Sequence, residues 1–261
     1  MKDFEKYYDF IKDEETKNTV RKIADKASYV EKNFITAVTE FTNPYAAELC
    51  IPIIKNYDVK FELFPSYEHC ERKVFILYPD YMGSIDRNEY VAALRIMNRS
   101  KFKDLSHKDY LGSIMSLGID RNRTGDIYVH EDFADVVMHK DIAEYVHFSL
   151  ELIGRNKVET QILKAEETAF KEQQHELIMI NASSLRLDSL VKNIANKSRE
   201  DSSDMVKSGL VKVNFKVEEK PSAEVKEGDM ISIAKYGRFK IHRLSGITKS
   251  GKNKIEIKHY I

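Results

Sequence analysis

The order of hydrophobic patterns between residues 90 and 163 restricts this chain more than any other feature. Residues 90–97 (YVAALRIM) read as a strand, and residues 107–117 (HKDYLGSIMSL) place Tyr110, Leu111, Ile114 and Met115 on one helical face. Residues 126–130 (DIYVH) and 133–138 (FADVVM) read as strands, 141–153 (DIAEYVHFSLELI) as a helix, and 158–163 (VETQIL) as a last strand. The succession is β-α-β-β-α-β, the ferredoxin-like plan. Leu94, Ile96, Leu111, Ile114, Val136, Val146 and Leu150 are expected in one core. Many RNA-binding domains use this plan, but the plan alone does not imply RNA. The Gly-aromatic-Gly-Phe-Val signature of the common RNA-recognition domain is absent, so any RNA contact by this sheet is expected without it.

The flanks read differently. Up to about residue 55 the pattern is helical: Phe4, Tyr7, Tyr8 and Ile11 share a face, and Val20, Ile23, Ala24, Ala27, Val30 and Phe34 continue the spacing. Asn43-Pro44, Pro52 and Asn56 interrupt it, and residues 57–64 and 73–78 form a hairpin around Pro65-Ser66. Residues 164–178 are charged and lack Gly and Pro, as in a linker, and lead to a short extended segment at 177–181. Leu187, Leu190, Val191 and Ile194 then mark a short helix. Ser198 is placed to cap a second one, with Glu200 and Asp201 in its first turn, Lys207 in its last and Gly209 just beyond. Val211 and Val213 alternate with Lys212 and Asn214 as a half-buried strand. Further strands end in a basic hairpin with Lys249, Lys252 and Lys254 near its tip. The expected class is α+β: a mostly helical domain with a short hairpin (1–80), the ferredoxin-like domain (81–165), a linker (166–182) and a small α/β module (183–261).

A net charge of zero hides an asymmetry. Residues 183–261 carry 17 Lys and Arg against 10 Asp and Glu, whereas residues 1–182 carry 25 against 32. A basic terminal module commonly meets phosphate, although a lysine surplus can also serve solubility. No apolar run reaches membrane-spanning length, and the N-terminal segment lacks a signal-peptide core, so a cytoplasmic protein without membrane contact is expected. Cys50 and Cys70 fit neither a disulfide framework nor a zinc site and are expected as buried thiols.

Catalytic signatures are missing. No glycine loop is spaced to cradle phosphate, His130, His139 and His147 lack metal-ligand spacing, and no Ser or Cys nucleophile motif occurs. Neither a metal nor another cofactor is expected. The loop from Asp120 to Asp126 offers Arg121 and Arg123 as phosphate ligands, although surface turns often have this composition. Two helices joined by a turn also suggest DNA binding. Against it, Glu200 and Asp201 occupy the end that would meet the bases.

Arg186-Leu187-Asp188, Leu190, Ser198-Arg199, Ser202, Lys207-Ser208-Gly209, Val211-Lys212-Val213-Asn214 and Gly228-Asp229 resemble, in order, the ribosomal protein S-four type (alpha-L) RNA-binding domain. The resemblance implies that Arg186, Lys192, Lys197, Arg199, Lys207 and Lys212 contact RNA phosphates. Ser198 and Asn214 would fix the turn and strand or add hydrogen bonds. Such contacts position RNA and read little sequence. Over its whole length the chain resembles the bacterial YlmH family, through Cys70-Glu71-Arg72-Lys73, Tyr110-Leu111-Gly112-Ser113, Leu117-Gly118-Ile119-Asp120-Arg121 and Gly125-Asp126-Ile127. Before Glu71, where that family is richer in glycine, this chain has Ser66-Tyr67-Glu68-His69-Cys70. The resemblance implies a non-enzymatic, monomeric factor of ribosome-associated quality control. It would bind rRNA and peptidyl-tRNA on the large ribosomal subunit and support C-terminal tailing of the stalled peptide.

Two rival classes remain. An RNA-modifying enzyme such as a pseudouridine synthase carries a similar small module. Its catalytic Asp commonly sits in Arg-Leu-Asp, which occurs here once, inside the module's own helix. The nucleotide motifs of a tRNA synthetase are not found. A division-associated adaptor would need an exposed apolar patch or a basic amphipathic helix, and the sequence offers no strong candidate.

Overall fold

The computed structural model describes residues 11–67, 70–100 and 102–260. The helical expectation at Phe4, Tyr7 and Tyr8 lies outside the described residues. The chain divides into two compact units, the first ending at Glu172 and the second starting at Gln173.

In the first unit, α1 (Glu14–Asn33) starts at Asp13, whose carboxylate accepts the Thr16 N–H at 3.1 Å, and stops where Phe34 turns left-handed at φ 56°. Helix α2 (Pro44–Ile54) is capped by Asn43 in the same way, with Pro44 in its first turn. Between and after them come β1 (Ala37–Val38), β2 (Val59–Phe64) and β3 (Val74–Pro79), in spatial order β1-β3-β2. All six residues of β3 are buried, because both faces of that strand are covered. Phe75 and Leu77 meet Val30, Cys50 and Ile54 of the helices, while Val74 and Ile76 point the other way.

What Val74 and Ile76 meet is the central sheet. Its elements are β4 (Val91–Asn98), α3 (His107–Ser116), β5 (Thr124–Val129), β6 (Phe133–His139), α4 (Lys140–Ser149), β7 (Leu152–Ile153) and β8 (Asn156–Lys164). The strand order β5-β6-β4-β8-β7, antiparallel throughout, is the ferredoxin-like arrangement with a short added edge. Tyr110, Ile114, Ala143 and Val146 from the helices cover Leu94, Ile96, Val136 and Met138 on one face. All seven expected core residues belong to this cluster. On the opposite face, Val91, Tyr128 and Val137 pack against Phe41, Phe64, Val74 and Ile76. The expected boundary near residue 80 falls inside the first compact unit. The apolar run in β3 has no polar alternation because it fills the gap between two layers.

Polar contacts join the same layers. His139, 2 % exposed, donates from Nε2 to the Thr39 carbonyl at 2.9 Å beside the Phe41 ring. Burial, with Arg123 nearby, pulls its pKa down to about 4 from 6.5. Below pH 6.5 the unfolded chain takes up a proton that the folded chain refuses. Stability is therefore fully present above that pH and is lost as pH falls towards 4. At about 1.4 kcal/mol per unit, the loss approaches about 3 kcal/mol. His139→Gln should remove this component. Denaturant titrations across that window should show a shallower pH slope in the variant, and equal slopes would refute the assignment.

The second unit holds β9 (His175–Ala182), α5 (Leu187–Ala195), α6 (Arg199–Lys207), β10 (Val211–Val213), β11 (Lys216–Val217), β12 (Met230–Ile233), β13 (Gly237–Ile247) and β14 (Asn253–Tyr260). These strands form one sheet in the order β11-β10-β12-β13-β14-β9. The expected linker at 166–182 is corrected here, since β9 pairs along its whole length with β14, from His175 opposite Tyr260 to Ala182 opposite Asn253. Upstream, Ala165 is buried in the first unit and the Ala169 N–H donates to Asp135 at 2.8 Å. Leu187, Leu190, Val191 and Val206 from the two helices pack on Ile180, Val211, Ile231, Ile233, Phe239, Ile241, Ile255 and Ile257. One face of the sheet is thereby covered.

Candidate nucleic-acid interface

The paired helices of the second unit begin with local chemistry. Ser198 accepts the Asp201 N–H at 3.0 Å, capping α6, while Glu200 and Asp201 complement the positive helix end. Helix α5 ends at Asn196 in the left-handed region (φ 51°), and α6 is followed by Gly209 at φ 70°. The three-residue joint 196–198 thus reverses the chain and leaves Lys192, Lys197 and Arg199 exposed around it.

Asp188 organises the basic groups. It sits in the first turn of α5 with its side chain 4 % exposed, and accepts from Arg186 Nε at 3.1 Å and Nη2 at 2.8 Å. Arg199 Nε from α6 approaches the same carboxylate at 3.8 Å, with its side chain 69 % exposed. The Arg186 hydrogen bonds and charge hold the Asp188 carboxyl below its ordinary pKa, so it stays ionised. One buried acid thus holds two arginines together while leaving a surplus positive charge outside. The sequence explained Asp188 only as part of its helix. Its spacing of two from Arg186, at a helix start, was the available signal. An acid so engaged, against a packed helix, is poorly placed to act as a pseudouridine-forming nucleophile.

The remaining expected residues separate. Lys207, at the far end of α6, is exposed and 3.4 Å from Asp204. Asn214 (φ 48°) is a structural brace. Its Nδ2 donates to Asp229 at 2.9 Å and its Oδ1 accepts the Met230 N–H at 2.9 Å. Lys212 lies between the inward Val211 and Val213, so it projects from the sheet face opposite the helices.

Arg121 and Arg123 belong to the first unit and spend their donors within it. Arg121 Nη1 donates to the Thr124 carbonyl at 2.6 Å, its hydroxyl at 2.7 Å and the Gly125 carbonyl at 3.0 Å. Burial, with Arg72 alongside, lowers its pKa to about 10. Arg123 pairs with Asp141 of α4 at 2.6 Å. Arg72 ties this loop to the N-terminal segment through the Thr124 and Phe41 carbonyls, and Asp126 accepts the Glu71 and Arg72 N–H groups. The loop from 120 to 126 is therefore a brace between layers. Arg121 turns inward because buried carbonyls need donors, whereas Arg123 reaches the exposed Asp141 carboxylate. Both cysteines are buried and free.

Among the described residues no group of three or more His, Cys, Asp or Glu is placed to hold a metal ion. No helix there is long and apolar enough to cross a membrane.

Known families and proteins resemble both parts of the chain. The family model described as "Putative RNA-binding domain in YlmH" matches residues 86–167, and the S4 domain model matches residues 185–231. Over 223 residues the chain is 31 % identical to "Ribosome-associated protein quality control protein P2" of Bacillus subtilis (strain 168), spanning 85 % of this chain and 87 % of that protein. Among solved structures it is similar to "Cell division protein ylmH from Streptococcus pneumoniae". The TM-score is 0.50 at 25 % identity, covering 59 % of this chain and 95 % of the other.

Proposed function

The chain belongs to the YlmH family and is an RNA-binding protein with an S4 domain. From that premise we propose that it docks on the large ribosomal subunit carrying stalled peptidyl-tRNA and assists quality control there, by supporting C-terminal tailing of the peptide. The observation that carries the reading is the Asp188-anchored pair, Arg186 and Arg199, on the two helices. Lys192, Lys197 and Lys207 extend that basic surface, and Ser198 fixes the turn on which it depends. Arg121 and Arg123 are left out of the docking surface, since both are engaged inside the first unit. The name of the B. subtilis relative supports the ribosomal context. In this reading the protein acts in the cytoplasm as a monomer, without catalytic chemistry or cofactor of its own.

The decisive experiment isolates the tagged protein from cells under translational stress. Large subunits bearing peptidyl-tRNA should be enriched over small subunits and over tRNA-free large subunits. Equal recovery of all particles would sink the proposal.

A further inference from the structure

The two helices cover only one face of the sheet in the second unit. Along β10, β12, β13 and β14 the inward positions are Val211, Ile231, Ile233, Phe239, Ile241, Ile255 and Ile257. Strand alternation therefore sends Lys212, Arg238, Lys240, Arg243, Lys254 and Lys258 to the other face. The acid at these outward positions of the four strands is Glu256, which pairs with Arg243 at 3.0 Å. Lys240 and Lys258 are direct cross-strand partners. The pair concentrates basic side chains at the middle of this face.

Aromatic groups interleave with the charges. The Arg238 guanidinium lies 5.6 Å from the Phe215 ring centroid and 5.7 Å from that of Tyr260. Phe215 occupies the second position of the two-residue turn between β10 and β11, at φ 70°. That position is normally given to glycine, because a bulky side chain there strains the backbone. The chain accepts strain to place a ring beside Arg238. Basic side chains tracking a backbone, with rings and a stacked guanidinium among them, are the ingredients of a single-strand nucleic-acid platform. Most of these residues lie beyond Ile231, where the match to the S4 domain ends.

We propose that the outward sheet face, through Lys212, Arg238, Lys240, Lys258, Phe215 and Tyr260, is a second RNA-binding surface that holds a single-stranded segment. It rests on RNA being this protein's ligand but is independent of where the helices dock. The RNA backbone lies across the Lys240–Lys258 pair, and bases stack against the aromatic and guanidinium groups.

The test uses the full chain and a fluorescein-labelled oligouridylate of about 16 nucleotides, near the upper site size of one binding groove. Anisotropy titrations from about 50 to 200 mM salt give the slope of log affinity against log salt. Lys240→Gln with Lys258→Gln should make that slope shallower by about 1.4, at about 0.7 per lost single-strand contact. Phe215→Gly restores the favoured Asn-Gly turn, so it should hold or raise the thermal midpoint while weakening oligouridylate binding. Glu14→Lys, in the first turn of α1, should leave oligouridylate binding unchanged. Failure of helix docking would appear separately, as wild-type ribosome association of the Arg199→Ala, Lys207→Ala variant. An unaltered oligouridylate slope in the lysine variant would overturn the proposal. So would unaltered RNA binding with lost adhesion to phosphatidylserine vesicles, which would assign the face to a lipid surface.

Discussion

Replacing Arg199 and Lys207 together by alanine is expected to weaken large-subunit association about 100-fold near physiological salt. Each charge-assisted contact contributes about 1.5 kcal/mol, and 1.4 kcal/mol is a factor of ten. The salt slope should become shallower by roughly one unit per contact, and RNAs of different sequence should be affected alike. Folding should survive, because both side chains are exposed and the Asp188 carboxylate keeps its paired bonds from Arg186. A change of this kind shifts stability by under about 0.5 kcal/mol. Glu14→Lys, in the first turn of α1 in the other unit, should leave association intact and serves as the control. Full, salt-sensitive association of the double variant would move the docking face away from the helices.

The largest stability effect is expected at Arg95. Its Nε and Nη2 donate to the Asp135 carboxylate at 2.8 and 2.7 Å, and its guanidinium lies 4.4 Å from the Phe133 ring centroid. The Asp135 side chain is fully buried and also accepts the Ala169 N–H. Arg95→Ala leaves that carboxylate charged, buried and without its ionic partner, which costs about 3–5 kcal/mol. Urea denaturation should show a reduced midpoint with little change in slope. The double variant Arg95→Met, Asp135→Leu should recover part of the loss, limited by the orphaned Ala169 N–H. A single-variant loss under about 1 kcal/mol would mean that water reaches Asp135 freely.

What the sequence disclosed follows the range of the interactions involved. The Ser198 cap, the Gly209 stop and the apolar face of α5 depend on residues within one or two turns. All are legible as strings. The ferredoxin-like order was legible too, since each element carries its own periodicity and the plan follows from their succession. Strand β9 was legible only as a short extended segment at 177–181, because His175–Ala182 alternates weakly and joins its sheet through β14, more than half the unit away. The covering of the central sheet by Phe41, Phe64, Val74 and Ile76 was equally hidden. The unbroken apolar run of β3 announces that both its faces are covered, but not which layers cover them. At the candidate interface, residue type announced charge but not direction. Arg121 turns inward, Lys212 faces away from the helices, and Asp188 gathers two arginines that sequence spacing does not place together.

The pairing of β9 with β14 also bears on how the protein is made. The first unit has all its strands once residue 164 has been added, so it can fold while synthesis continues. The second unit begins with β9 and cannot complete its sheet until β14 is available. Pairing strands so distant in sequence is slow. A nascent copy therefore lacks the finished sheet of its RNA-binding unit until residue 260 has been added, long after the first unit is able to fold.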